Sequence, residues 1–137
     1  MNILDLFESH EDSKLTFMDA MRDFLPLVIK HLELSTLPDI DFERNISDTK
    51  YPTFGRYIND KNLIQLDIEN RHPVDILRTL AHELVHYKQD LHKQLDPESG
   101  ITGSPQENEA NAHAGVIMRS FNKQFPQYLN LKPILLP

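Results

Sequence analysis

Apolar residues recur at helical spacing near the start of the chain: Leu15, Met18, Met21, Leu25, Val28, Ile29 and Leu32. This pattern predicts a helix over residues 13–34, with Ser13 as its cap. Pro26 falls inside it and is expected to kink or divide it. The period then changes to two. In residues 63–68, Ile64, Leu66 and Ile68 share one face, and Leu63, Gln65 and Asp67 the other. Residues 53–58 also read as a strand, and the Asn-Asp-Lys-Asn run at 59–62 is turn chemistry, so the two strands form a hairpin. Residues 40–46 alternate more loosely and suggest another strand.

Helical periodicity returns at residues 73–92, where Leu77, Leu80, Ala81, Leu84 and Val85 make one apolar stripe. Pro73 suits the first turn, and Asp75 complements the positive end of the helix dipole. A Pro- and Gly-containing loop follows over residues 96–103. Ser104, Pro105 and Glu107 then read as a capping box with proline at the first helical position. This last helix should run to about residue 124 and stop before Pro126. The apolar tail, residues 129–137, holds two prolines and is expected to cross the core as an irregular strap. The succession predicts a single α+β domain over residues 1–137: an N-terminal helix, a small mixed sheet of three or four strands, and two further helices.

With 137 residues the chain is long enough to bury a core. The formal net charge of -7, without a basic cluster, argues against a nucleic-acid partner. There is no cysteine, which excludes disulfides and thiolate–metal sites. Residues 1–11 lack the pattern of a signal peptide, and no apolar run reaches the ~18 residues of a membrane span. The expectation is a soluble, cytoplasmic protein with no membrane partner.

The sharpest chemical feature is His82-Glu83-Leu84-Val85-His86. Helical residues four apart differ by about 40° of rotation and roughly 6 Å of rise, so His82 and His86 can share one metal ion. Glu83 follows the first of them, where its carboxylate can reach a metal-bound water. Zinc suits such a set, with imidazole ligands and one position left for water.

A catalytic zinc needs a third protein ligand. Glu109 is the expected one. It shares a helical face with His113, and Ala110, Ala112, Ala114 and Gly115 would let the two helices approach closely. His92 is an alternative, because His82, His86 and His92 have the spacing of the metzincin motif. Gln89 stands where that motif has glycine, and on a continuing helix His92 would lie about 15 Å along the axis from His82. Glu107 and His113 are the remaining candidates. His113 is also expected to act in catalysis, as an oxyanion donor or by orienting a ligand. Tyr57 and Tyr87 are further oxyanion donors in principle, but both read more simply as packed aromatics. His10, His31 and His72 read as surface or helix-end residues, and Asp67 and Glu69 as a solvated strand face.

With these residues the chain resembles zincin metallopeptidases of the gluzincin type. His82, Glu83 and His86 match that family's first motif, and Asn108-Glu109-Ala110 matches its downstream glutamate helix. The likeness covers about residues 50–125 and extends to small HExxH proteins of tailed bacteriophages. It departs at His113, where larger members often carry an Asp that supports a histidine ligand. It departs also in lacking a second, substrate-binding subdomain.

The resemblance implies a zincin fold, a Zn2+ cofactor held by His82, His86 and Glu109, and a peptide or protein substrate. Glu83 would act as general base on the zinc-bound water. Residues 53–58 are the expected sheet edge for an extended peptide, with Gly55 allowing close backbone approach. Two other functions fit the same motif. One is an amidase acting on cell-wall peptides. The other is a non-enzymatic virion or regulatory protein that keeps zinc for folding.

Overall fold

The computed structural model of the protein describes residues 15–46 and 53–137. Among these residues it is an α+β fold of three α-helices and a three-stranded mixed sheet. Helix α1 spans Phe17–Leu32. Thr16 caps it with a full capping box: its hydroxyl accepts from the Asp19 amide, and the Asp19 carboxylate accepts from the Thr16 amide. Ser13, the expected cap, and His10 lie outside the described residues. The helix continues through Pro26 and is not divided there. Both Pro26 and Arg22, whose carbonyl loses its donor, are exposed, so water can satisfy that carbonyl.

Strands β1 (Asp39–Glu43), β2 (Gly55–Ile58) and β3 (Leu63–Asp67) lie in the order β1-β3-β2. The expected hairpin is present: β2 pairs antiparallel with β3, Tyr57 facing Ile64. Asn62 adopts the left-handed conformation that closes its turn, at φ 50°. β1 pairs parallel with β3 on its other side. β2 is therefore an edge, with no strand beyond it among the described residues.

Helix α2 (Pro73–Leu91) packs against the apolar face of the sheet, and helix α3 (Pro105–Gln124) packs alongside α2 and α1. Ile64, Leu66 and Phe42 from the sheet meet Leu77, Leu80 and Leu84 of α2 and Ile117 and Phe121 of α3 in one buried cluster. Phe24 of α1 stands edge-on to Phe121 at 5.6 Å between centroids. The tail lies as a strap, with Leu131, Ile134 and Leu136 against the core and Ile134 exchanging backbone hydrogen bonds with Asn70 and Arg71. No helix among the described residues is long and apolar enough to cross a membrane.

Gly55 lets the edge strand approach α2. A Cβ there would stand 2.5 Å from Thr79 Cγ2. Arg71 reinforces the join, donating to the carbonyls of Phe54 and Asp67 from one side and to Asp75 O and Thr79 Oγ1 on the other. Burial lowers the Arg71 pKa, while Asp67 and Asp75 oppose that shift.

Candidate metal centre

Helix α2 is set by its own sequence. His72 caps it, its Nδ1 accepting from the Val74 amide at 3.0 Å, and Pro73 opens the first turn. Its apolar stripe faces the core, which turns His82 and His86 to one flank. Their Nε2 atoms come to 3.2 Å of each other. Helix α2 runs past Gln89 and stops after Leu91, where Lys93 takes a left-handed conformation at φ 57°. His92 caps its end, exposed and outside the cluster.

The residue that α3 brings to these histidines is Glu107. Its Oε1 lies 2.7 Å from His82 Nε2 and its Oε2 3.0 Å from His86 Nε2. All three offer a ligand atom within 4.8 Å of one another. The expected third ligand, Glu109, is not in this cluster. Two residues are about 200° of helix, so with Glu107 facing the histidines Glu109 turns away. It is exposed and accepts a hydrogen bond from Gln89 Nε2 at 3.1 Å. His113, also expected at the site, lies about 240° round from Glu107. Its Nδ1 is 3.1 Å from Nε2 of His31 on α1, and it does not line the cleft.

Glu107 also corrects the expected capping box. The Ser104 hydroxyl accepts from the Glu107 amide at 3.1 Å, so half of the box forms. The Glu107 carboxylate meets the imidazoles and leaves the reciprocal half unmade.

Glu83 is buried beside the cluster. Burial pushes its pKa up to about 7, opposed by His86 and by a hydrogen bond from the Tyr57 backbone, with Glu107 adding to the rise. Burial also lowers the His82 pKa, against the opposing effects of Glu107 and of a hydrogen bond to Asn111. The edge strand thus reaches the centre through its main chain. The tyrosine hydroxyls do not: Tyr57 donates to Asp90 at 2.5 Å, and Tyr87 is 2.6 Å from Thr36 Oγ1.

A cleft of about 410 Å³ opens over these groups. His82, Glu83, His86 and Glu107 line it, with Gly55, Arg56 and Tyr57 of β2 on one wall and Leu95, Asp96 and Ser99 of the α2–α3 loop on another. The loop is folded on itself, Ser99 Oγ accepting from the Asp96 amide at 2.8 Å.

The donor set fits zinc. Two imidazole nitrogens and one carboxylate converge, each available to a cation, beside an open cleft and a carboxylate that is not a member of the set. Two supporting residues were missed by sequence reasoning. Gln89 lies three residues beyond His86, and its Oε1 is 2.8 Å from His86 Nδ1. Asn111 lies one turn beyond Glu107 and bonds His82. Helical spacing from His86 and from Glu107 is the signal that marks both. No family model, curated protein or solved structure matches the chain.

Proposed function

We propose that the protein is a zinc-dependent peptidase in which His82, His86 and Glu107 hold the metal and Glu83 is the general base. The convergence of those three ligand groups beside a buried, separate carboxylate carries this reading. Zinc, when bound, supplies a Lewis acid that polarises the scissile carbonyl and makes water easier to deprotonate.

The remaining chemistry belongs to the chain. A Glu83 carboxyl with pKa near 7 can take a proton from the attacking water at one oxygen and return it to the departing amide nitrogen. The Tyr57 amide fixes that carboxylate against the edge strand. The free side of β2 offers main-chain groups to an extended peptide, which would cross the cleft in register with the strand. The α2–α3 loop forms the facing wall of the cleft.

Zinc-loaded protein should hydrolyse unfolded casein or a quenched peptide mixture and lose that activity on chelation. Glu83→Gln should retain zinc and fold but fall by at least about a hundredfold, the usual scale of general-base catalysis. Cleavage confined to peptidoglycan fragments would assign the amide to the cell wall. Zinc binding with no hydrolysis of either substrate would overturn the enzymatic reading and leave a structural metal.

A further inference from the structure

We propose that Gln89 and Glu109 form a positioning pair that forces His86 into the one tautomer able to bind the metal. The inference rests on the metal-centre reading and gives a role to the carboxylate that lies outside the ligand set.

The hydrogen bonds of Gln89 can be counted in full. Its side chain has two N–H donors and one carbonyl acceptor. Nε2 lies 3.0 Å from the backbone oxygen of Gln106 and 3.1 Å from Glu109 Oε1. A backbone carbonyl and an ionised carboxylate can only accept. Oε1 lies 2.8 Å from His86 Nδ1. Exchanging the amide oxygen and nitrogen would set oxygen against oxygen twice. Gln89 is 1 % exposed, so water cannot relieve such a clash. The amide therefore has one allowed orientation, with its oxygen toward the imidazole.

The tautomer follows. An acceptor opposite Nδ1 requires a proton on Nδ1. In the neutral ring Nε2 then carries the lone pair, and Nε2 is the atom that meets His82 and Glu107. Metal binding needs a neutral imidazole with that lone pair free. Glu109 acts through Gln89: its charge is one of the two acceptors that forbid the flipped amide. The same amide bonds α3 at two points, so the tautomer is set only when the two helices are in register.

Zinc affinity by competition with a chromogenic chelator tests the pair without reference to activity. Gln89→Leu removes the acceptor and should weaken zinc by about 10- to 100-fold, the usual effect of losing a ligand's hydrogen-bond partner. Glu109→Ala removes one of the two acceptors that oppose the flipped amide, leaving Gln106 O, and should cost roughly three- to tenfold. A core variant, Ile117→Val, lowers stability without touching the pair and should bind zinc as the wild type does. In zinc-loaded wild type the His86 Nδ1 proton should exchange slowly by NMR, and in both site variants rapidly.

Wild-type affinity and slow exchange in Gln89→Leu would overturn the inference. Should that variant fail to fold, exposed Glu109→Ala decides alone, and unchanged affinity with slow exchange overturns it. A wild-type protein that binds no zinc would instead overturn the metal reading, and this inference with it.

Discussion

Gly55→Ala isolates the contact that holds the edge strand against the motif helix. No unusual φ requires glycine at this position, so on backbone grounds alone alanine would stabilise the fold by ~0.4–1 kcal/mol. Packing reverses the sign. The added methyl would stand 2.5 Å from Thr79 Cγ2, 3.2 Å from Leu66 Cδ2 and 3.3 Å from Gln65 O. Carbon atoms are comfortable at about 3.5–4 Å, so the first contact needs a shift of roughly 1 Å. Thr79 cannot rotate away freely, because its Oγ1 accepts from Arg71 at 2.7 Å and donates to Asp75 O at 3.1 Å. The strand must lift instead, at a net cost of about 1–3 kcal/mol, the usual range for overpacking.

Thr79→Ser removes the offending methyl and keeps the hydroxyl. Alone it should cost less than about 1 kcal/mol, since one partly buried methyl is lost. The double variant should recover about 1–2 kcal/mol of the sum, read from urea midpoints at constant m-value. Hydrolysis should follow the same order, because a lifted β2 withdraws the Tyr57 amide from Glu83. Additive effects, or a Gly55→Ala variant as stable as wild type, would refute this packing argument.

Three further outcomes follow from the site. Burial pushes the folded-state pKa of Glu83 up from its ordinary value of 4.5 to about 7, so its favourable contribution is full below 4.5 and is lost as pH rises through 7. At about 1.4 kcal/mol per unit, metal-free wild type should lose on the order of 3 kcal/mol that Glu83→Gln keeps, checked by urea melts of chelated protein at pH 5 and 8. Parallel pH profiles would contradict this. His113→Ala should leave zinc affinity and turnover within about threefold, because its ring meets His31 outside the cleft; a hundredfold fall in kcat would return it to the catalytic group. His92→Ala should bind zinc within about twofold of wild type in a chelator titration, since exposed residues remote from the ion contribute little; a tenfold loss would contradict it.

The fold was legible because its signals are local and periodic. The 64-66-68 alternation, the turn at 59–62, the stripe of α2 and Pro105 after Ser104 each point to the element that forms. Gly55 was expected to admit a peptide backbone, whereas the close neighbour it has in the fold is Thr79 of α2. The third member of the metal group was harder. Glu107 stands at the third helical position after Ser104, where a capping box accounts for a glutamate completely. Glu109 has the Asn-Glu-Ala context of a resembling family and a histidine four residues on. Only the rotation of α3 about its axis separates the two, by about 200°. That rotation is fixed by Ala110, Ala114, Ile117 and Phe121 packing into the core, a tertiary fact. Gln89 was read as a missing glycine because it was compared with a motif, whereas its hydrogen bonds give it a positive role. Pro26 does not divide its helix, since a proline on a wet helix face leaves a carbonyl that water can satisfy.

The central claim is that Glu107 completes the metal group. A chelator-competition titration of wild type, Glu107→Ala and Glu109→Ala tests it most directly. Wild type should bind about one zinc per chain. Loss of a ligand should weaken zinc by at least about a thousandfold in Glu107→Ala, while Glu109→Ala should stay within about tenfold. Intact affinity in Glu107→Ala together with loss in Glu109→Ala would contradict the geometry of α3 and return the ligand to Glu109.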